Sequence, residues 1–147
     1  MEVLNREAKY NYFILEEIEC GIVLTGTEIK AIRAGKVNLK DSYAIIRKSE
    51  AYVLNMHISE YKEGNIFNHD PKRTRKLLLH KQEILKLNQK LELESTTLIP
   101  LKLYFKKNKV KILLGVCKGK KNFDKRETIK ERDLKRENAK LGKYNYK

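Results

Sequence analysis

The sequence predicts a mainly β domain whose strands close into a small barrel, with flanking helices and a basic C-terminal tail. Three observations carry this. Several segments alternate apolar and polar residues with a period of two, only two stretches repeat at helical spacing, and composition changes abruptly after Cys117.

Tyr10, Tyr12 and Ile14 form the first alternating face. A helix then has both its punctuation marks: Thr25 and Glu28 fit a capping box, Ile29 and Ile32 supply an apolar stripe, and Gly35 provides the stop. Tyr43 to Arg47 and Ala51 to Ile58 form a candidate hairpin around Lys48 to Glu50. A second helix is expected from Lys81 to Leu91, with Ile84, Leu87 and Leu91 on one face and Lys81, Lys86 and Lys90 free to face outward.

Beyond it, Ile99, Leu101, Leu103 and Phe105 alternate with Pro100, Lys102 and Tyr104, and Lys106 to Asn108 can turn the chain back. Pro100 lacks a ladder donor, which predicts an edge position or a strand start. The cleanest strand follows, with Val110, Ile112, Leu114 and Val116 set against Lys109, Lys111, Leu113 and Gly115. Strands of this kind on a basic surface suit a closed oligonucleotide-binding (OB-like) barrel, because closure removes exposed strand edges.

The chain of 147 residues is 41% hydrophobic, enough for the core of one domain. Residues 1–117 are assigned to the barrel with its helices and residues 118–147 to the tail. The tail holds 12 Lys and Arg against 5 Asp and Glu, so +7 of the formal +14 lies there. Its apolar residues Ile129, Leu134, Ala139 and Leu141 are too sparse to bury a continuous face, which predicts disorder in solution and a helix on a partner.

A chain with 33 Lys and Arg against 19 Asp and Glu, and a pI near 9.7, attracts polyanions. The sequence holds no apolar run long enough to span a bilayer and no cleavable signal pattern, so a membrane partner is not expected and a cytoplasmic location is. Cys20 and Cys117 are not in a C-x-x-C pair and read as reduced thiols, with no disulfide and no metal. No cofactor is expected either.

Candidate phosphate contacts are the cations Lys72, Arg73, Arg75 and Lys76, the alternative being a solvated basic loop. Tyr12, Tyr43 and Tyr61 are candidates for stacking on unpaired bases, or simply for packing. His57, His69 and His80, with Asp70 beside His69, raise a catalytic or metal reading. No His pair has one-turn helical spacing and no G-x-S-x-G or phosphate-cradling glycine loop occurs, so the chain does not read as an enzyme. Glu19 is open between an ordinary carboxylate ending a strand and an acceptor for a guanine edge or RNA hydroxyls.

Four longer stretches are more specific: Gly21-Ile-Val-Leu-Thr-Gly-Thr-Glu-Ile-Lys30, Asn38-Leu-Lys-Asp-Ser-Tyr43, Asn68-His-Asp-Pro-Lys-Arg-Thr-Arg-Lys-Leu-Leu-Leu79 and Gly119-Lys-Lys-Asn-Phe-Asp-Lys-Arg126. In this order and spacing the chain, from Asn5 into the tail, resembles the small protein B family, the SsrA-binding proteins. The resemblance implies a monomeric OB-like barrel that holds the transfer-RNA-like part of transfer-messenger RNA and delivers it to stalled bacterial ribosomes for trans-translation.

Carried over by motif, Glu19, Leu78 and His80 fall in the family's RNA-contact surface, with Arg33 and Lys111 as supporting cations. Gly119, Lys120, Lys121, Phe123, Asp124, Lys125 and Arg126 resemble the element that enters the ribosomal decoding site, the rest of the tail following the empty messenger channel. Phe123 stands where Tyr or His is commoner in the family, Cys20 where Ala is usual, and His80 shares its position with Asn in other members. Stacking is therefore the role the resemblance leaves to Phe123. A generic ribosomal or single-strand RNA-binding protein is the alternative that composition alone allows.

Overall fold

The computed structural model describes residues 2–61, 68–93 and 95–120. It is mainly β with flanking helices. The elements run β1 (Glu2–Leu4), α1 (Ala8–Asn11), β2 (Tyr12–Ile22), α2 (Gly26–Arg33), β3 (Val37–Asn38), β4 (Tyr43–Arg47), β5 (Glu50–Leu54), β6 (His57–Ile58), β7 (Arg75–Leu78), α3 (Lys81–Leu93), β8 (Thr97–Lys106) and β9 (Lys109–Gly119).

All pairings are antiparallel. They run from β8 through β4, β5, β7, β2 and β9, and β9 pairs with β8 again. β1 lies beside β8 from Glu2↔Tyr104 to Leu4↔Lys102, while β4 meets it at Ala44↔Leu98, so the two share one edge of β8. β3 and β6 form a separate two-stranded pair.

Strand alternation decides what this sheet encloses. Val110, Ile112, Leu114 and Val116 point inward, as expected, and meet Cys20, Ala51, Val53, Leu77, Leu98 and Leu103 from the other strands. Ala31 and Ile32 of α2 and Leu87 of α3 cap the same core. Each fully buried Leu or Ile side chain contributes about 1.5–3 kcal/mol relative to exposure, which fixes the phase of every strand.

Beyond Leu114 the alternation in β9 breaks, because Gly115 and Cys117 are buried on the opposite face. There Ala8 of α1, Ile99 and Cys117 form a second small cluster with Tyr12, Ile14 and Leu101. Gly115 leaves room for Leu101: an added Cβ would stand 2.9 Å from a Leu101 methyl, which would have to shift.

The local start and stop signals of α2 are present as read. Thr25 Oγ1 accepts from the Glu28 N–H at 3.4 Å, Glu28 Oε1 accepts from the Thr25 N–H at 2.8 Å, and Gly35 adopts φ +74°. Two residues turn each hairpin, Lys48-Ser49 and Lys107-Asn108, with positive φ at both positions as a right-twisted ribbon demands.

Several boundaries differ from expectation. Tyr10 lies in α1, whose Ala8 is buried in the second cluster, so the strand expected from Tyr10 is β2 and begins at Tyr12. The second strand of the early hairpin ends at Leu54, where Asn55 turns into the left-handed region at φ 59°, and His57–Ile58 pairs with β3 instead. Helix α3 continues to Leu93. Pro100 is at neither an edge nor a strand start: it is buried within β8 opposite Leu114, where a register shift between Pro100 and Lys102 removes the demand for its missing N–H. The strand β9 also carries Lys118 and Gly119, two residues past the boundary assigned to the tail.

A charged network lies in the core. Glu28, fully buried, receives hydrogen bonds from Arg75 Nε and from Arg73 Nη2 at 2.7 Å. Arg75, also fully buried, donates to the carbonyls of Met56 at 2.7 Å and Pro71 at 3.1 Å. Burial pushes the Glu28 carboxyl up, but the Arg73, Thr25 and Arg75 donors outweigh it and hold the group below the ordinary carboxylate range. His69 completes the joint between α2 and the segment before β7, its Nδ1 2.8 Å from Thr27 Oγ1 and its Nε2 2.8 Å from the Ile58 carbonyl.

Candidate nucleic-acid interface

The phase that buries one set of side chains exposes the other. On β2, Cys20 and Ile22 point inward, so Glu19 and Gly21 face out. On β7, Arg75 and Leu77 are buried, so Lys76 and Leu78 face out. On β5 the inward residues are Ala51 and Val53, which turns Glu50 and Tyr52 outward.

Register then brings these residues together. Gly21 pairs with Lys111 of β9 on one side and with Leu78 of β7 on the other. The result is an open groove of about 540 Å³ lined by Glu19, Glu50, Lys76, Leu78, His80 and Lys111, among others. Leu78 is 53% exposed there, an apolar surface between charged walls. His80 stands at the entry to α3, its backbone N–H bonded to Glu83 Oε1 at 3.0 Å.

Glu19 is held as an anion at the edge of the groove. The Tyr104 hydroxyl donates to one carboxylate oxygen and Lys106 Nζ lies 3.2 Å from the other. The Tyr104 hydrogen bond first, and Lys106 second, keep the Glu19 carboxyl below its usual range. Burial and the bond to Glu19 push the Tyr104 phenol up to about 12, so tyrosine remains the donor. Anionic acceptors, a neighbouring ammonium and an exposed leucine can together read base edges, hold phosphate and pack against a base or sugar.

Five residues singled out from the sequence, Glu19, Lys76, Leu78, His80 and Lys111, therefore share one groove. Others stand elsewhere. Arg75 was expected at the surface and is instead buried in the Glu28 pair, because strand alternation turns it inward between Lys76 and Thr74. Arg73 is largely committed to Glu28 and to the Val23 carbonyl at 3.3 Å. Arg33 is exposed at the end of α2, its guanidinium 5.4 Å from the Phe105 ring centre.

His69 has both ring nitrogens engaged, and among the described residues no three His, Cys, Asp or Glu side chains are grouped as metal ligands. Tyr12 is half-buried in the second cluster, Tyr43 is exposed on β4, and Tyr61 has Lys30 Nζ 5.5 Å from its ring centre. Among the described residues no helix is long and apolar enough to cross a membrane.

At the start of the tail element, Gly119 ends β9 and Lys120 follows, its N–H bonded to the Asn11 carbonyl at 2.9 Å and its Nζ 4.9 Å from the exposed Phe13 ring. Lys121, Phe123, Asp124, Lys125 and Arg126 lie outside the described residues.

Sequence reasoning missed Glu50, read there as a turn residue. The signal was available: Glu50 and Tyr52 alternate with the apolar Ala51 and Val53, which are the buried phase of the strand. Gly21 was noticed only as part of a longer motif, although its lack of a side chain is what lets Leu78 lie across β2.

The family described as SmpB protein matches residues 2–144. The SsrA-binding protein of Desulfitobacterium hafniense (strain DSM 10664 / DCB-2) is 58% identical over 133 residues, covering 90% of this chain and 85% of that protein. The SsrA-binding protein of Acetivibrio thermocellus is 56% identical over 143 residues, covering 97% and 93%. A chain in the solved structure described as "tmRNA-SmpB: a journey to the center of the bacterial ribosome" superposes with a TM-score of 0.69 at 47% identity, covering 82% of this chain and 85% of that one. The chain belongs to the SmpB protein family.

Proposed function

We propose that this chain binds the transfer-RNA-like domain of transfer-messenger RNA and delivers it to stalled bacterial ribosomes for trans-translation, so that the nascent peptide is tagged and the ribosome released. The observation that carries the reading is the groove in which Glu19, Leu78, His80 and Lys111 meet on a chain of net charge +14. Its RNA and ribosome partners are those in the names of its relatives and of its solved neighbour.

In this reading the strands form a closed OB-like barrel, supported by the run of pairings that leaves β8 and returns to it. Residues 1–117, with the two strand residues that follow, hold the RNA. The segment from Gly119 to Arg126 occupies the vacant decoding site, and the rest of the tail lies as a helix along the empty messenger channel, using ribosomal RNA as its counter-surface. Occupied channels exclude it, which confines action to stalled ribosomes. The protein works as a cytoplasmic monomer, binding and positioning RNA without catalysing a reaction of its own and without a cofactor.

The two functions are separable, and a reconstituted tagging assay run beside RNA binding tests this. Glu19→Ala is expected to weaken selective RNA binding and, with it, tagging. Asp124→Ala combined with Arg126→Ala is expected to spare RNA binding and abolish tagging. Equal loss of RNA binding in both variants contradicts the division.

A further inference from the structure

Two carboxylates that line the groove from strands on either side of β7 are held in the same way. Glu19 takes a hydrogen bond from the Tyr104 hydroxyl on one oxygen and the Lys106 ammonium on the other. Glu50 takes the Tyr52 hydroxyl at 2.6 Å on Oε2 and Lys76 Nζ at 3.0 Å on Oε1. Both side chains are partly exposed, 37% for Glu19 and 45% for Glu50, and both line the groove.

The arrangement leaves each carboxylate oriented but not used up. A carboxylate oxygen has two lone pairs, and among the described residues each of these four oxygens accepts one bond. Both carboxylates line the groove and are partly exposed, which leaves further lone pairs within reach of solvent or a ligand. Glu83 differs, because its Oε1 is taken by the His80 N–H that begins α3. Glu28 is buried and spent on two arginines.

A carboxylate in an RNA groove is unfavourable toward phosphate and favourable only toward donors. The donors of RNA are its 2′-hydroxyls and the amino and imino groups of its bases. A rim carboxylate whose sole task is to hold Lys76 away from phosphate weakens binding; one that meets a donor selects for the RNA that presents it there. The tyrosine hydroxyl favours the second role, since Tyr52 fixes the direction of the carboxylate, which a flexible lysine alone does not. Tyr52 and the Lys76 ammonium also hold the Glu50 carboxyl below its usual range, so it accepts as an anion at neutral pH.

Resting on the assignment of this groove to transfer-messenger RNA, we infer that Glu50 is a second specificity-determining acceptor, paired across the groove with Glu19, that receives a hydroxyl or base N–H of the bound RNA. Lys76 then supplies the adjacent phosphate contact, and Tyr52 acts as a positioning residue behind Glu50.

The test is the affinity of the full chain for transfer-messenger RNA and for an elongator transfer RNA across a series of salt concentrations, in wild type, Glu50→Ala and Glu50→Gln. Loss of one hydrogen bond to a charged acceptor is expected to weaken transfer-messenger RNA binding at least about tenfold in Glu50→Ala, and less in Glu50→Gln, which keeps one acceptor oxygen. Elongator binding is expected to stay nearly constant, so selectivity falls. The slope of affinity against salt is expected to remain that of the wild type, because no phosphate contact is lost. Unchanged or tighter transfer-messenger RNA binding in Glu50→Ala, or a steeper salt slope from a freed Lys76, overturns the inference. If the wild type itself shows no preference for transfer-messenger RNA, the assignment of the groove fails, an outcome read from the wild type alone.

Discussion

Leu78 lies across the bare backbone of Gly21. A Cβ built at Gly21 would stand 3.3 Å from both the Cβ and the Cδ1 of Leu78, in a groove where Leu78 is 53% exposed. The leucine is therefore a surface feature held in place by a missing side chain on the next strand. Leu78→Ala is expected to change stability by no more than about 0.5 kcal/mol, as at other exposed sites, while weakening transfer-messenger RNA binding about tenfold, as loss of a packed apolar contact does. Gly21→Val is expected to weaken binding similarly by displacing Leu78, with the fold retained by circular dichroism. Full RNA affinity in both variants contradicts a role for this contact.

The buried Glu28–Arg75 pair sets the phase of β7 and hence which residues reach the groove. Removing one partner strands the other charge, so Glu28→Ala is expected to cost about 3–5 kcal/mol in denaturant unfolding. Because the carboxyl is held below the ordinary range in the folded state, its contribution is present above the unfolded carboxylate pKa. It is lost as pH falls through the lowered folded value. Glu28→Gln is expected to flatten that acid limb of the stability profile relative to wild type.

Thr25 is the N-cap of α2, and its hydroxyl accepts from the Glu28 N–H. Thr25→Ala is expected to lower stability by about 1 kcal/mol, measured by the same unfolding titration. Thr25→Ser is expected to restore most of the loss.

Both cysteines are buried, and burial pushes the Cys20 thiol up to about 12 and the Cys117 thiol up to about 11. Neither is expected to react appreciably with iodoacetamide at pH 8 in the folded protein, and both are expected to react in denaturant. Mass spectrometry of the two states reads the outcome.

The legibility of this fold followed the range of the signals. Capping by Thr25 and Glu28, the stop at Gly35 and the alternation of Val110 to Val116 are local, and they were readable. Pro100 was misplaced because the irregularity that accommodates it, the unpaired Leu101 beside it in β8, appears only once the register with β9 is fixed. Arg75 was read as a surface cation because a buried charge is recognisable only once Glu28, 47 positions earlier, is known to meet it. Tyr10 fell into α1 because a short helix covering Cys117 and Ile99 overrode an alternating pattern that continued across it.

In the groove, motif resemblance located Glu19, Leu78 and His80, and alternation explains why they face outward. The pairing that makes them neighbours, Gly21 with Lys111 and with Leu78, is a property of register between distant strands. Glu50 was overlooked although it shares the outward phase of β5 with Tyr52; only its bond to Lys76 needs β5 and β7 side by side.

The most direct test of the central claim is equilibrium binding of the purified chain to transfer-messenger RNA and to an elongator transfer RNA, side by side at near-physiological salt. Strong preference for transfer-messenger RNA is expected, and it is expected to shrink in Glu19→Ala. Equal and equally salt-labile binding to both RNAs contradicts the account and leaves a basic surface without selectivity.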